Sequence, residues 1–338
     1  MLNIKILKAG SGDSILISYL NNSGLKYILV DGGVGAIYQK EIKEIMKSIP
    51  QLDLVIVTHI DKDHIGGINK LLSSNDALKI KEVCFNSADL IRKNNSNLIS
   101  ISDGINLVEH LENKNIKINK KPQVIGSQYL NENISIEFLS PSRESLLYLE
   151  KEWSKVKEEQ DTQISSLSQK IDERNLTLIA TDKFEEVKYE NDVANWTSLA
   201  FEIKYKNIKT LFLGDAKDSI IINTLKNKGY SEDKKYEVDY IKLSHHGSKY
   251  NTSQNFLSLV KCNHFIFSTN GTHQKPHIET IARILCNKTR DIEQKVYLYF
   301  NYPKEQYTSK KVRLLTDEEE QKYNCECIYE KNIFEFEE

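Results

Sequence analysis

Apolar and polar residues alternate over Leu2 to Lys8, Ser14 to Leu20 and Lys26 to Val30, the pattern of strands buried on one face. The third run ends at the turn signal Asp31-Gly32-Gly33. From Ile37 to Ile49 the apolar positions fall at helical spacing, and Pro50 closes the run. Leu52-Asp53-Leu54-Val55-Ile56-Val57 then reads as a fully buried strand whose carboxyl end delivers His59. Helical periodicity resumes over Ile65 to Leu72. The charged stretch between them therefore occupies a loop joining a buried strand to a helix, where open α/β sheets commonly bind ligands.

Strand patterns recur at Glu82 to Phe85 and Ile134 to Leu139, with a helix predicted near Leu98 to Glu112. After Pro141 the composition shifts to Glu, Lys, Gln and Ser as far as Asp192, with Leu146, Leu149, Trp153 and Val156 at helical spacing. This predicts an inserted helical arm or flap, and equally a partner-binding or dimerising element. Strands return at Ser198 to Tyr205 and at Lys209 to Leu213, the latter ending in Gly214-Asp215. A helix from Lys217 to Lys228 follows. Val238 to Leu243 is another buried strand, running into Ser244-His245-His246-Gly247-Ser248. His264 to Thr269, a helix over Ile278 to Leu285 and a strand near Lys295 to Phe300 complete the pattern. The acidic stretches Asp317 to Glu320 and Glu335 to Glu338 read as peripheral. These elements predict one α/β domain over 1–338, with a core at about 1–140 and 193–300, a helical insertion at about 143–192 and a C-terminal extension at about 301–338.

Composition narrows the class. A chain of 338 residues with 39% hydrophobic and 28% charged residues reads as globular and well solvated. No stretch approaches the roughly 18 consecutive apolar residues of a membrane helix, and Met1 to Gly10 lacks the apolar core of a signal peptide. The expectation is a cytoplasmic protein without membrane attachment. Five cysteines are an odd number, with Cys84, Cys262 and Cys286 isolated, so disulfides are not expected. Cys325 and Cys327 lack the second pair that a structural zinc site needs. A formal charge of −2 argues against bulk electrostatic attachment to nucleic acid. The Lys-rich pieces at 114–121 and 204–209 read mainly as solvated faces.

The chemistry concentrates in Thr58-His59-Ile60-Asp61-Lys62-Asp63-His64-Ile65-Gly66-Gly67. His59, Asp61, Asp63 and His64 would be costly to bury together at a strand tip unless a cation neutralised the carboxylates. Asp215, His245 and His246 also follow directly on apolar strands. A carboxylate with an oxygen for each of two cations suits the bridging position of a two-metal site, and Asp215 fills that role.

With these pieces the sequence resembles the metallo-β-lactamase fold superfamily. Its His-x-His-x-Asp-His signature appears here with Asp61 in place of the second histidine. Val30-Asp31-Gly32-Gly33, Leu213-Gly214-Asp215 and the strand-end histidines match as well. Within the superfamily the sequence is most similar to the nuclease-type domain of the DNA-uptake protein ComEC. Gly10-Ser11-Gly12-Asp13, His-x-Asp-x-Asp-His-x-Gly-Gly and His-His-Gly-Ser are all present. The resemblance covers residues 2–72 and 195–286 and implies a four-layer αββα sandwich carrying an inserted helical arm.

It further implies one metal on His59 and Asp61, a second on Asp63 and His64, Asp215 between them, and either His245 or His246 completing the second site. The superfamily's additional histidine is missing where Asn195-Trp196-Thr197-Ser198 stands. Two divalent ions are expected, Zn2+ or Mn2+, carboxylate in place of imidazole shifting preference towards manganese. Asp13 and Asp31 are expected to support the metal loops, and Asp63 to orient the water or accept its proton. The stretch from Ser268 to His277 resembles a substrate loop of the same branch. There Asn270 and Lys275, with Ser248 nearby, are candidate substrate contacts, and His273 or His277 candidate proton donors.

The expected activity is phosphodiester hydrolysis of DNA by a hydroxide that two metals activate, in DNA processing or anti-phage defence. The rivals are a hydrolase of a small metabolite or cyclic nucleotide, and a weakly active interaction module. The expected partners are a nucleic-acid substrate, a protein docking on 143–192, and a second copy in a homodimer.

Overall fold

Strands β1 (Leu2–Ile6), β2 (Ile15–Asn21) and β3 (Gly24–Val30) form an antiparallel meander in which Leu2, Ile4 and Ile6 pair with Tyr19, Ile17 and Ile15. Alternate side chains along β1 and β2 are buried, as period-two patterning requires. The meander then turns parallel through β4 (Leu54–Ile56), β5 (Glu82–Cys84) and β6 (Lys117–Ile118). The computed structural model describes residues 1–86, 102–119, 121–131, 133–152, 175–188 and 192–337.

The second sheet repeats this plan. Antiparallel β7 (Gln128–Asn131), β8 (Ile134–Ser140), β9 (Ala200–Tyr205) and β10 (Ile208–Phe212) come first. A two-stranded parallel ribbon of β11 (Tyr236–Glu237) and β13 (Val260–Lys261) stands apart. Parallel β12 (Tyr240–Lys242), β14 (His264–Phe267), β15 (Val296–Phe300) and β16 (Cys325–Ile328) extend the sheet from β10. The last strand, β17 (Ile333–Phe336), crosses back to pair with β1, placing Phe334 opposite Ile4.

Two sheets lie face to face. Ile4, Ile17, Val30 and Ile56 of the first pack with Phe138, Phe201, Phe212 and Ile266 of the second. Each such side chain contributes about 1.5–3 kcal/mol when fully buried, so this layer binds the halves together. A helical core over the first sheet gathers Ile42, Met46, Ile65, Ile68, Leu71 and Leu107. On the second sheet, Leu176, Ile221, Leu225, Phe256, Ile281 and Leu285 form the opposite outer layer. The architecture is thus the expected αββα sandwich.

Two boundaries differ from the sequence reading. The stretch 301–338 is no peripheral extension, because β16 and β17 each complete a sheet. Leu176–Ala180, assigned to the inserted arm, is a helix seated in the outer core beside Ile278–Leu285. Of the arm itself, only its first helix, Arg143–Glu152, and residues 175–188 are described, and Trp153 and Val156 lie outside the described residues. The helix expected near Leu98 is described as Ser102–Asn113. Among the described residues, no helix is long and apolar enough to cross a membrane.

At the start of the helix Asp218–Asn227, buried Asp218 accepts from Ser253 N through Oδ1 at 3.2 Å, while Oδ2 has no partner. Burial pushes its pKa up to about 7. Between about pH 4 and pH 7 the folded form therefore keeps a proton that an unfolded aspartate (pKa ~3.9) has lost, and stability declines as pH climbs through that window. Asp218→Asn keeps the Oδ1 acceptor and removes the decline. In urea unfolding we expect the variant to be more stable by on the order of 2–4 kcal/mol at pH 8, with the gain shrinking towards pH 4. A gain as large at pH 4 would refute the assignment.

Candidate metal centre

All the strands that feed the centre end on one side of the sandwich. β3 ends at Asp31, β4 runs into His59, β10 into Asp215, β12 into His245 and His246, and β14 into Ser268. Asp61 takes the extended N-cap position of the helix Lys62–Leu72, where an aspartate normally accepts from the first turn. It makes no capping bond. Its Oδ2 lies instead 3.4 Å from His59 Nε2. His64, Ile68 and Leu71 share one buried stripe of that helix, so its apolar seating also aims His64 inward.

Close backbone approaches hold the metal loop in place. A Cβ on Gly67 would come within 2.0 Å of Gly32 O, and one on Gly12 within 1.6 Å of Asp63 O. Gly12→Ala must displace the loop carrying Asp63. We expect a stability loss of about 1–3 kcal/mol together with weaker metal uptake, read by urea unfolding and metal titration. Unchanged values in both would mean that the loop yields freely.

Asp215 stands among four imidazoles. Its Oδ1 is 3.5 Å from His64 Nε2, and its Oδ2 is 3.6, 3.8 and 3.9 Å from Nε2 of His245, His246 and His59. His246 Nε2 is also 3.8 Å from Asp63 Oδ2. The opposite nitrogen of each ring is anchored. Thr58 Oγ1 donates to Asp31 Oδ2 at 2.7 Å and so accepts from His59 Nδ1 at 2.9 Å. His64 Nδ1 donates to Asp31 Oδ2 at 2.8 Å, His246 Nδ1 to Ser268 O at 2.9 Å and His245 Nδ1 to Asn251 Oδ1 at 3.2 Å. Oxygen acceptors on Nδ1 fix the tautomer and present Nε2 to the centre, as metal-binding histidines require.

His245 and His246 both have left-handed backbones, φ 48° and φ 60°, and Gly247 follows at φ 83°. Each non-glycine residue in this region costs roughly 1–3 kcal/mol and persists only where its surroundings hold it. Part of that support comes from buried Arg283, whose Nη1 donates to Lys249 O and Thr252 O at 2.6 and 3.1 Å.

The donors fit divalent cations. Nε2 of His59, His64 and His246 and Oδ1 of Asp13 and Asp215 are buried without hydrogen-bond partners, and Asp13, His64, Asp215 and His246 offer atoms all within 4.8 Å of one another. Unpaired polar atoms packed this closely are costly unless an ion satisfies them. Burial alone would raise Asp215, but the charges of His64, His245 and His246 outweigh it and hold the carboxylate well below its usual range. Burial likewise opposes charge on His64, which Asp215 and Asp31 nevertheless raise well above the usual histidine value. Cations would take over the task of that proton.

Supporting residues surround this cluster. Asp31 is fully buried, its Oδ1 accepting from Thr58 N at 2.8 Å. Asp13 pairs with buried Lys242 and lies 3.4 Å from His246 Nδ1. Sequence reasoning missed Lys242, Thr58, Ser198 and Asn251. Ser198 Oγ accepts from Asp215 N at 3.0 Å and sits 3.4 Å from His59 Nδ1. A signal for Thr58 was its place directly before His59. Lys242, a charge inside an apolar strand, also stood out in principle.

The loop after β14 carries the remaining candidates, which differ in their surroundings. Lys275 is buried enough for its pKa to fall, against the pull of Asp215 and Asp63, and its charge in turn depresses His245. Its charge is close enough to act on Asp215, Asp63 and His245. His273 is exposed on a turn at φ 56°, and none of the hydrogen bonds or ion pairs among the described residues joins it to the cluster. His277 Nδ1 accepts from Lys249 N at 3.0 Å, and burial pushes its pKa down to about 4, which favours the neutral ring near neutral pH. Asn270 Oδ1 is taken up by Thr272 N and Oγ1, and Ser248 is buried in a turn with Tyr250.

The sequence pattern of the metallo-beta-lactamase superfamily matches residues 7–83, which include β2–β4 and the whole His59–Gly67 loop. Together with the αββα sandwich, this defines a metallo-β-lactamase-fold protein. The anti-Pycsar protein Apyc1 of Paenibacillus sp. (strain J14) is 33% identical over 73 residues, which are 20% of this chain and 29% of that relative. Solved structures similar over the whole chain include the metallo-beta-lactamase fold protein YhfI from Bacillus subtilis, with TM-score 0.44, 11% identity and 98% of each chain covered. Zn(2+)-bound PqqB from Methylobacterium extorquens has TM-score 0.45 and 7% identity over 99% of this chain and 100% of its own. A diphosphatase of the PhnP family has TM-score 0.41 and 11% identity over 100% and 98%.

Proposed function

We propose that this chain is a metal-dependent phosphodiesterase that uses two divalent cations, Zn2+ or Mn2+, and acts on DNA. The observation that carries the reading is a cluster of unpaired imidazole and carboxylate atoms, open on the side of Asp61 and Asp63, with the partly buried cation Lys275 within electrostatic reach of Asp215 and Asp63. An ammonium held there suits a phosphodiester, whose negative charge the carboxylates alone would repel. The ComEC-like assignment draws support from Asp61 beside His59 and from the Gly10–Asp13 loop closing over Asp63.

Cations bound here would lower the pKa of water towards neutrality and polarise a phosphoryl oxygen. The chain's own residues do the rest. Lys275 holds and orients the phosphate. The side chains of Asp61 and Asp63, 45% and 32% exposed, mark the open side of the centre, and Asp63 Oδ2 is there to accept a proton from water. Asp31, Thr58 and Ser268 O keep the rings aimed.

Similarity to an anti-Pycsar protein, confined to 29% of that relative, supports a second reading, a small phosphodiester such as a cyclic nucleotide. An anti-phage setting suits either substrate. Zn2+- or Mn2+-loaded protein offered plasmid, single-stranded DNA, RNA and cyclic nucleotides separates them. Cleaved DNA is the expected result. Turnover of cyclic nucleotides alone would establish the second reading, and no cleavage of any substrate would overturn both.

A further inference from the structure

We propose that His245 and His246 divide between the two cations, His246 completing the Asp63–His64 half and His245 the His59–Asp61 half. This rests on the two-cation reading above.

The two rings differ in what their Nε2 atoms approach. His246 Nε2 is 3.8 Å from Asp63 Oδ2, while no ion pair among the described residues joins His245 to Asp63. Asp215 Oδ2 is the carboxylate oxygen near His245, at 3.6 Å, and it is also the oxygen 3.9 Å from His59. The other oxygen, Oδ1, turns to His64 at 3.5 Å. Asp215 therefore presents Oδ2 to His59, His245 and His246 and Oδ1 to His64, and the contact that separates the two rings is that of His246 with Asp63.

Without His245, the His59–Asp61 half has only those two residues and Asp215. The segment running up to β9 cannot make up the deficit with its serine, because Ser198 Oγ is engaged between Asp215 N and His59 Nδ1. With His245 each half has two imidazole nitrogens, an aspartate of its own and a share of Asp215: His59, His245 and Asp61 in one, His64, His246 and Asp63 in the other. Four donors of this kind match the coordination number of zinc.

The local backbone is consistent with two ligands. If one ring sufficed, only one residue would need an unusual conformation, yet both are left-handed. Both have Nδ1 anchored to an oxygen, although the His245 side chain is 28% exposed and has little packing of its own to satisfy. Asn251, which anchors His245, also donates from Nδ2 to Asp215 O at 3.2 Å, tying that ring's support to the bridging residue.

The test reads metal rather than turnover. Wild type and variants are loaded with Mn2+ or Zn2+, dialysed and analysed for bound metal, and Mn2+ samples are examined by EPR for the coupled pair. Wild type should hold two equivalents. His245→Ala should keep one and lose the coupled signal, its affinity for the second falling more than about tenfold. Adding Asp61→Ala to His245→Ala should cost nothing further, whereas adding Asp63→Ala should empty the remaining site. His245→Asn serves in the same experiments if the alanine variant fails to fold. Two tightly held equivalents in His245→Ala would overturn the division, and so would the reverse pattern in the double variants. Fewer than two equivalents in wild type would instead remove the two-cation reading beneath it.

Discussion

Asp215→Asn is expected to leave a folded protein that has lost at least about 10³-fold in phosphodiester cleavage and cannot hold two cations. The side chain's position makes the effect large. Its two oxygens lie 3.5–3.9 Å from Nε2 of all four histidines, so one substitution touches both halves of the centre. Asparagine keeps the shape but removes the charge, and its amide hydrogens face imidazole nitrogens or cations. Steady-state cleavage of whichever substrate wild type hydrolyses, with metal analysis of the same samples, checks this. Retention of more than a tenth of the activity would place the chemistry elsewhere.

The second large effect concerns stability. Asp13→Ala strands the ammonium of Lys242, which is 1% exposed and has as its other oxygen neighbour Gly214 O at 3.5 Å. Removing one partner of a buried pair costs about 3–5 kcal/mol, chiefly because the survivor stays desolvated and unpaired. Metal-free protein unfolded in urea should show that loss. Asp13→Leu combined with Lys242→Met should recover most of it, since an apolar pair needs no compensation. An Asp13→Ala loss under about 1 kcal/mol would mean that water reaches Lys242. Acid should act in the same direction. Burial would raise the Asp13 carboxyl, but Lys242 and His246 depress it, so its contribution holds above the unfolded carboxylate pKa (~3.9) and fades as pH falls below that.

The sandwich and the gathering of the candidate ligands were largely legible because one physical pattern repeats: a run of apolar residues too long to be exposed, ending in residues too polar to be buried alone. His59, Asp215 and the His245–His246 pair were each found that way. β16 and β17 escaped because edge strands bury one side at most, and Glu326 and Glu335 break their apolar runs. The pairing of Asp13 with Lys242 was hidden for another reason. Their partnership spans 229 positions, and nothing local to either residue names the other. The engagement of His277 with Lys249 was hidden too, because the hydrogen bonding and burial that set its protonation belong to the folded loop.

The pairing of Leu2 with Phe336 has a consequence for biosynthesis. The edge of β1 leaves the ribosome well ahead of its hydrogen-bonding neighbour β17, which follows tens of seconds later at about 5–20 residues per second. Throughout that interval a newborn chain exposes an open strand edge, the kind that recruits other chains. Asp215, His245 and His246 also arrive after the His59–Gly67 loop. The cluster could therefore take up an ion only once the chain has emerged past His246, and rapid closure by β17 would protect the nascent protein from aggregation.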